Sequence, residues 1–129
     1  ISWDAPVVIS SKINSSATPP TETVVQPLVK GKGDYAIAAG DDIMVRYREY
    51  SWQTGKLLTD KYSGDPDVGS LNDTVTCWKD GLVGQKLGSR LMLVCPPATG
   101  YPYGNPTPSI AKGDTVVFVI DLILAAPSA

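Results

Sequence analysis

The alternation of apolar and polar residues along the chain predicts a β-rich domain. Residues 24–30 are predicted to form a first strand, and a period of two residues, the spacing of side chains on one face of a strand, recurs in residues 42–50, 89–95 and 115–124. The last segment alternates most regularly, and its predicted core face consists of Val116, Phe118, Ile120, Leu122 and Leu124. Pro27 interrupts the first segment and indicates an edge strand or a bulge, because proline has no N–H to donate to a neighbouring strand.

One segment has a helical period instead. Between residues 75 and 84, Trp78 and Leu82 are four positions apart and therefore share a helix face, and Gly84 can end the helix in a left-handed conformation. Two segments rich in Gly and Pro are predicted to be loops, residues 59–73 and 96–113. Together these elements predict an α+β fold, in which an antiparallel sheet is wrapped on one short helix.

The chain divides into an arm and a domain. Residues 1–23 include a run rich in Ser, Thr and Pro, which is typical of an extended arm or linker, whereas residues 24–126 hold the predicted elements. The 129 residues, 43% of them hydrophobic, suffice for one domain with its own core. No apolar run approaches the roughly 20 residues of a membrane-spanning helix.

Composition excludes several kinds of chemistry. The chain has no histidine, so neither a Ser–His–Asp nor a Cys–His arrangement can form, and two cysteines do not complete a four-ligand zinc site. A net charge of −2 with interspersed signs argues against nucleic acid as a partner. Four aspartates lack the spacing of a calcium-binding loop and are predicted to be solvated, Asp60, Asp65, Asp67 and Asp73. We therefore expect no metal and no cofactor.

Three segments follow one another in a characteristic order. The first runs from Gly40 to Tyr50 and on to Thr54-Gly55-Lys56, and the second is VTCWKDGLVGQKLG in residues 75–88. The third, in residues 93–122, holds LVCPP, GYPYG, an isoleucine and DTVVFVIDL. Each is weak alone, but together they resemble the FKBP family of peptidyl-prolyl cis–trans isomerases over about residues 24–125.

The resemblance implies a fold, an activity and a set of site residues. The fold is an antiparallel five- or six-stranded sheet curved around one short helix, with an apolar pocket between them, and the activity is rotation of X–Pro bonds. Position by position, the implied catalytic residues are Tyr103, Trp78 and Phe118, and the implied substrate-binding residues are Tyr47, Leu58, Val75, Tyr101 and Ile110. Tyr101 competes with Tyr103 for the hydroxyl that donates to a bound carbonyl, because the spacing of this loop is irregular.

Such a pocket would favour the twisted, less dipolar amide without a nucleophile, metal or general base. Leu58-Thr59 stands where the family usually has Phe-Asp, and residues 65–73 lack the family's aromatic residue. The alternative function is therefore a catalytically weak, FKBP-like module that binds proline segments or acts as a chaperone. An immunoglobulin-like sandwich is a third interpretation, and the predicted helix argues against it.

The arm and the segment GLVGQKLGSR are similar to bacterial secreted or lipid-anchored family members. We therefore expect an extracytoplasmic protein, a monomer or one part of a tandem-domain chain, that acts on proline-containing segments of exported proteins and could take macrolide ligands. In the family, the helix that Cys77 opens packs on the strand that Cys95 ends. The two residues are either reduced, buried thiols or a disulfide, which an exported location would permit.

Overall fold

The computed structural model describes residues 18–128. In this part of the chain, the elements follow in the order β1 Val24–Val29, β2 Asp42–Ser51, β3 Leu57–Asp60, β4 Asp67–Ser70, a 3-10 turn Leu71–Asp73, α1 Thr76–Leu82, β5 Arg90–Cys95 and β6 Val116–Ala126. Within these residues, no helix has the length and apolar character needed to cross a bilayer. Most of the predicted arm, residues 1–23, lies outside the described residues, so the arm stays a prediction.

The strands form one antiparallel sheet in the order β1-β5-β6-β2-β3, and β4 pairs with β2. Strand β6, which has the most regular alternation, lies in the middle and pairs with both β2 and β5. Strand β1 lies at an edge, and its register shifts between Pro27 and Val29, as the missing proline N–H predicts. The predicted fold class, an antiparallel sheet of five or six strands with one short helix, is confirmed, and the sheet has six strands in the described residues.

The helix packs its apolar face on the sheet. Trp78 and Leu82 share that face, as predicted, and belong to one buried cluster with residues of β5 and β6. Gly81 allows the close approach, because a Cβ at this position would lie 2.7 Å from the Leu93 Cδ2 atom. Each fully buried Leu or Phe side chain stabilises the fold by about 1.5–3 kcal/mol relative to exposure.

Leu124 does not lie on the core face, so its prediction is wrong. Its side chain is 56% exposed, whereas Leu122 is fully buried. The pairing between β2 and β6 shifts at this point, since Met44 faces Leu124 while Val45 faces Leu122. The extra residue of β6 reverses the alternation, and Ala125 packs against the core instead.

Residues 59–73 are only partly a loop. The segment contains the end of β3, all of β4 and the 3-10 turn. The sequence of β4, DVGS, has little strand propensity and no clear alternation. It is held by pairing with the first half of β2, from Asp42↔Ser70 to Val45↔Asp67, which the local sequence does not specify.

Candidate functional site

Three aromatic rings from three elements meet between the helix and the sheet. Tyr47 comes from β2, Trp78 from α1 and Phe118 from β6. The Trp78 ring lies edge-on to both others, with centroids 5.1 Å from Tyr47 and 5.3 Å from Phe118. Edge-to-face contacts of this kind fix the rings relative to one another, so the group forms a rigid apolar surface.

This surface is the floor of a cavity of about 360 Å³, here called the Trp78 cavity. Its lining residues are Tyr47, Asp67, Asp73, Thr74, Val75, Trp78, Tyr101 and Phe118. Trp78 is only 6% exposed and Phe118 is buried, so both belong to the core as well as to the cavity. The two tyrosines are partly buried, which leaves their rings in the wall.

Two N–H groups of the lining residues are without a partner in the described part of the chain. The Val75 amide precedes the helix and makes no hydrogen bond there. The Trp78 indole N–H is buried and likewise makes none within residues 18–128. A buried donor without an acceptor is costly, so these groups could donate to a ligand carbonyl at little further cost.

The tyrosine hydroxyls in the wall keep their protons at neutral pH. Burial, followed by the charges of Asp67 and Glu49, raises the pKa of Tyr47 to about 12. Burial, with Glu49 as the next cause, also raises the pKa of Tyr101. Both hydroxyls are therefore hydrogen-bond donors rather than bases. The site can bind and orient an amide that is flanked by apolar groups, and its lining residues, as far as the structure describes them, include no activated nucleophile.

Comparison with known proteins agrees with this geometry. The profile of the family described as FKBP-type peptidyl-prolyl cis-trans isomerase matches residues 33–123. The chain belongs to the FKBP family. A probable FK506-binding protein of Corynebacterium glutamicum is 32% identical over 108 residues, which cover 82% of this chain and 89% of that protein.

Another FKBP relative has also been solved as a structure. FkpA of Escherichia coli, an FKBP-type peptidyl-prolyl cis-trans isomerase, is 30% identical over 112 residues, or 86% of this chain and 40% of FkpA. Its crystal structure superimposes with a TM-score of 0.75 over 83% of this chain and 49% of that one. A peptidyl-prolyl cis-trans isomerase from Pseudomonas syringae, 26% identical, gives a TM-score of 0.69 over 81% of this chain and 75% of that one. This chain thus spans less than half of FkpA.

The structure brings together five of the eight residues that the FKBP resemblance selects. Tyr47, Val75, Trp78, Tyr101 and Phe118 all line the Trp78 cavity. Leu58 lines a neighbouring recess instead, with Tyr47 and Tyr101 at the boundary. Ile110 is buried in the core and is paired with Asn105 through two backbone hydrogen bonds. The roles of these residues in an FKBP reaction stay predictions.

Tyr103 does not line the Trp78 cavity. It lies in a tight turn, in which the Gly104 N–H donates to the Tyr101 carbonyl at 3.0 Å, and its side chain is 88% exposed. Gly104 has a φ of +79°, and a Cβ atom at this position would lie 2.5 Å from the Ile110 carbonyl oxygen. The turn therefore needs glycine. This geometry turns Tyr101 inward and Tyr103 outward, and Tyr101 is the better candidate for the donating hydroxyl.

Three carboxylates at or beside the Trp78 cavity lie outside the sequence-based site. Asp67 and Asp73, which the sequence places in a solvated loop, are exposed at the mouth of the Trp78 cavity. Glu49 is buried beside it. Glu49 follows Tyr47 by two positions in a strand, so the period of two was a signal that could have placed both on one face.

Cys77 and Cys95 form a disulfide that joins the FKBP helix to strand β5. Their Cα atoms are 5.8 Å apart, within the usual range for such bonds. Of the two interpretations that the sequence leaves open, the structure contains the bridged one. The bond lies next to Trp78 in sequence and anchors the helix that carries this residue.

Proposed function

We propose that this domain accelerates the rotation of X–Pro bonds by binding the twisted amide in the Trp78 cavity. The observation that carries the proposal is the apolar floor of three aromatic rings, with N–H donors in its wall that have no partner among the residues described. The uncatalysed barrier is about 18–20 kcal/mol, because rotation breaks amide resonance. A thousandfold acceleration needs only about 4 kcal/mol of differential binding.

The physical basis is a difference in polarity between the two states of the amide. The planar amide has a large dipole that water stabilises, whereas the twisted amide has a smaller one. Transfer into a cavity floored by Trp78 and Phe118 therefore disfavours the planar form more than the twisted form. A hydrogen bond from the Tyr101 hydroxyl or the Val75 N–H to the carbonyl before proline would hold the twisted orientation.

We further propose that the substrates are proline-containing segments of exported proteins. The Cys77–Cys95 disulfide supports an extracytoplasmic, secreted or lipid-anchored location, because such bonds persist in oxidising compartments. Relatives named as FK506-binding proteins support a macrolide as a second ligand of the same cavity. A monomer or one part of a tandem-domain chain remains the proposed organisation.

A weak isomerase that mainly docks proline segments is the second candidate. Asp67 and Asp73 favour it, because two exposed carboxylates at the cavity mouth hold water near the bound amide. Retained water reduces the penalty on the planar state and with it the acceleration. Binding without acceleration would support this candidate over the isomerase.

Tyr101→Phe should lower kcat/KM for a short apolar X–Pro peptide, measured at the pH of highest activity. The substitution keeps the ring and removes one hydrogen bond worth about 0.5–1.5 kcal/mol, which corresponds to a few-fold to about tenfold. Tyr103→Phe is the matched control and should leave kcat/KM unchanged, since its hydroxyl is in solvent. The reverse order of effects would return the donor role to Tyr103 and contradict the placement of Tyr101.

A further inference from the structure

Glu49 is a buried carboxyl group next to the Trp78 cavity. It lies on β2 two residues after Tyr47, and its side chain is only 2% exposed. Its Oε1 atom accepts a hydrogen bond of 3.0 Å from the Thr59 hydroxyl of β3. Its Oε2 atom is buried and, in residues 18–128, forms no hydrogen bond. An orphaned carboxyl oxygen is costly in the interior, so a nearby donor or a bound proton has to satisfy it.

The Tyr101 hydroxyl is a donor that can turn to Glu49, since both residues line one recess, although no hydrogen bond joins them within the described residues. The carboxylate is a cause of the raised pKa of Tyr101, second to burial, and Tyr101 in turn lowers the pKa of Glu49. Both residues line a recess of about 570 Å³, together with Thr59. Tyr47 and Tyr101 line this recess and the Trp78 cavity alike, so the Tyr101 side chain connects Glu49 to the proposed substrate site.

The phenol has one hydrogen to donate, and two acceptors compete for it. An ionised carboxylate is an acceptor only, so it draws the Tyr101 hydrogen towards itself. A protonated carboxyl group is a donor, and it can donate to the Tyr101 oxygen while the phenol hydrogen points elsewhere. The direction of this one hydrogen bond therefore depends on whether Glu49 carries a proton.

We propose that Glu49 is a positioning residue that controls the direction in which the Tyr101 hydroxyl donates. With Glu49 ionised the hydroxyl donates to Glu49, and with Glu49 protonated it is free to donate to the substrate carbonyl. Apart from the exchange of the Glu49 proton with solvent, only hydrogen bonds are made or broken. The proposal rests on the proposed isomerase function and adds to it a group that does not touch the substrate.

Few other charged groups face Glu49. Strand β3 and the residue after it contribute Thr59 and Lys61, and the loop contributes Tyr101. Strand β6 places the uncharged Phe118 opposite Glu49, and Tyr47 is the titratable neighbour on its own strand. Burial is the largest effect on Glu49 and raises its pKa above the ordinary glutamate value. The protonated fraction falls as pH rises through that raised pKa, so activity should fall in the same interval.

The test is the pH profile of kcat/KM for an X–Pro peptide without titratable groups. The kcat/KM of the wild type should fall about three- to tenfold as pH rises, which corresponds to the free energy of one hydrogen bond. The midpoint should coincide with the titration of the Glu49 carboxyl carbon followed by NMR. In Glu49→Gln the side-chain amide can donate permanently to Tyr101, so the profile should be flat at the level of the wild type at low pH. The pH profile of Tyr101→Phe should also be flat, at the kcat/KM that the wild type has at high pH.

Asp67→Asn is the control for a general effect of charge. It removes another carboxylate that acts on Tyr47, and the pH-dependent step should persist in this variant. A step that survives in Glu49→Gln, in a variant whose thermal unfolding shows it to be folded, would overturn the proposal. So would a flat profile in an active wild type. Inactivity at every pH would instead contradict the proposed function first, and the role of Glu49 with it.

Discussion

Phe118→Ala should lower the free energy of unfolding by about 3–5 kcal/mol, as expected for removal of a buried aromatic ring. The Phe118 side chain is 2% exposed and packs against both Tyr47 and Trp78, so its loss leaves a cavity that the rigid rings cannot close. Urea unfolding followed by far-UV circular dichroism measures the change. Since small domains have a total stability of only about 5–15 kcal/mol, this variant should be close to the limit of folding.

Leu124→Ala is the matched control on the same strand. Leu124 is of similar apolar character but 56% exposed, so its truncation should change the free energy of unfolding by less than about 0.5 kcal/mol. Equal effects at positions 118 and 124 would contradict the register shift that turns Leu124 outward.

Loss of the Cys77–Cys95 bond should be the second large effect, at about 3 kcal/mol of stability. The bond closes a loop with a sequence separation of 18, and cross-links of this span restrict the unfolded chain by about this amount. The double substitution Cys77→Ala and Cys95→Ala removes it without leaving a free thiol. Urea unfolding with and without a thiol reductant should show the wild type destabilised by reductant and the double variant unaffected.

The redox state of the two cysteines can be determined directly by counting free thiols. Thiol titration of the unfolded, unreduced chain should find no free group at either cysteine when the protein comes from an oxidising compartment. Two titratable thiols in freshly exported protein would contradict the disulfide, and would also remove the support that it gives to an extracytoplasmic location.

Elements with a strong local signal were predictable from sequence. Strand β6 and helix α1 were predictable because alternation in one and the Trp78–Leu82 spacing in the other match the faces that the core buries. Strand β4 was not, since its formation depends on pairing with β2 rather than on its own residues. The outward turn of Leu124 likewise depends on a register shift between two strands distant in sequence.

The site was predictable to the extent that family spacing identified its aromatic residues. Tyr47, Trp78 and Phe118 come from elements whose positions the resemblance fixes. The choice between Tyr101 and Tyr103 depends on a turn of two residues, in which backbone conformation decides which ring points inward. Glu49 was missed because a charged residue in a strand is ordinarily assigned to the solvent face, whereas its hydrogen bond with Thr59 of the paired strand accompanies its burial here.

The most direct test of isomerase activity is the rate of cis–trans exchange of a short apolar X–Pro peptide in the presence of the folded domain. We predict that the rate constant rises in proportion to domain concentration, and that the urea-unfolded domain gives no acceleration. Binding is followed in parallel through the NMR signal of the Trp78 indole N–H, assigned by its absence in Trp78→Phe. A peptide that shifts this signal without any acceleration of its isomerisation would contradict the isomerase activity and support a docking module instead.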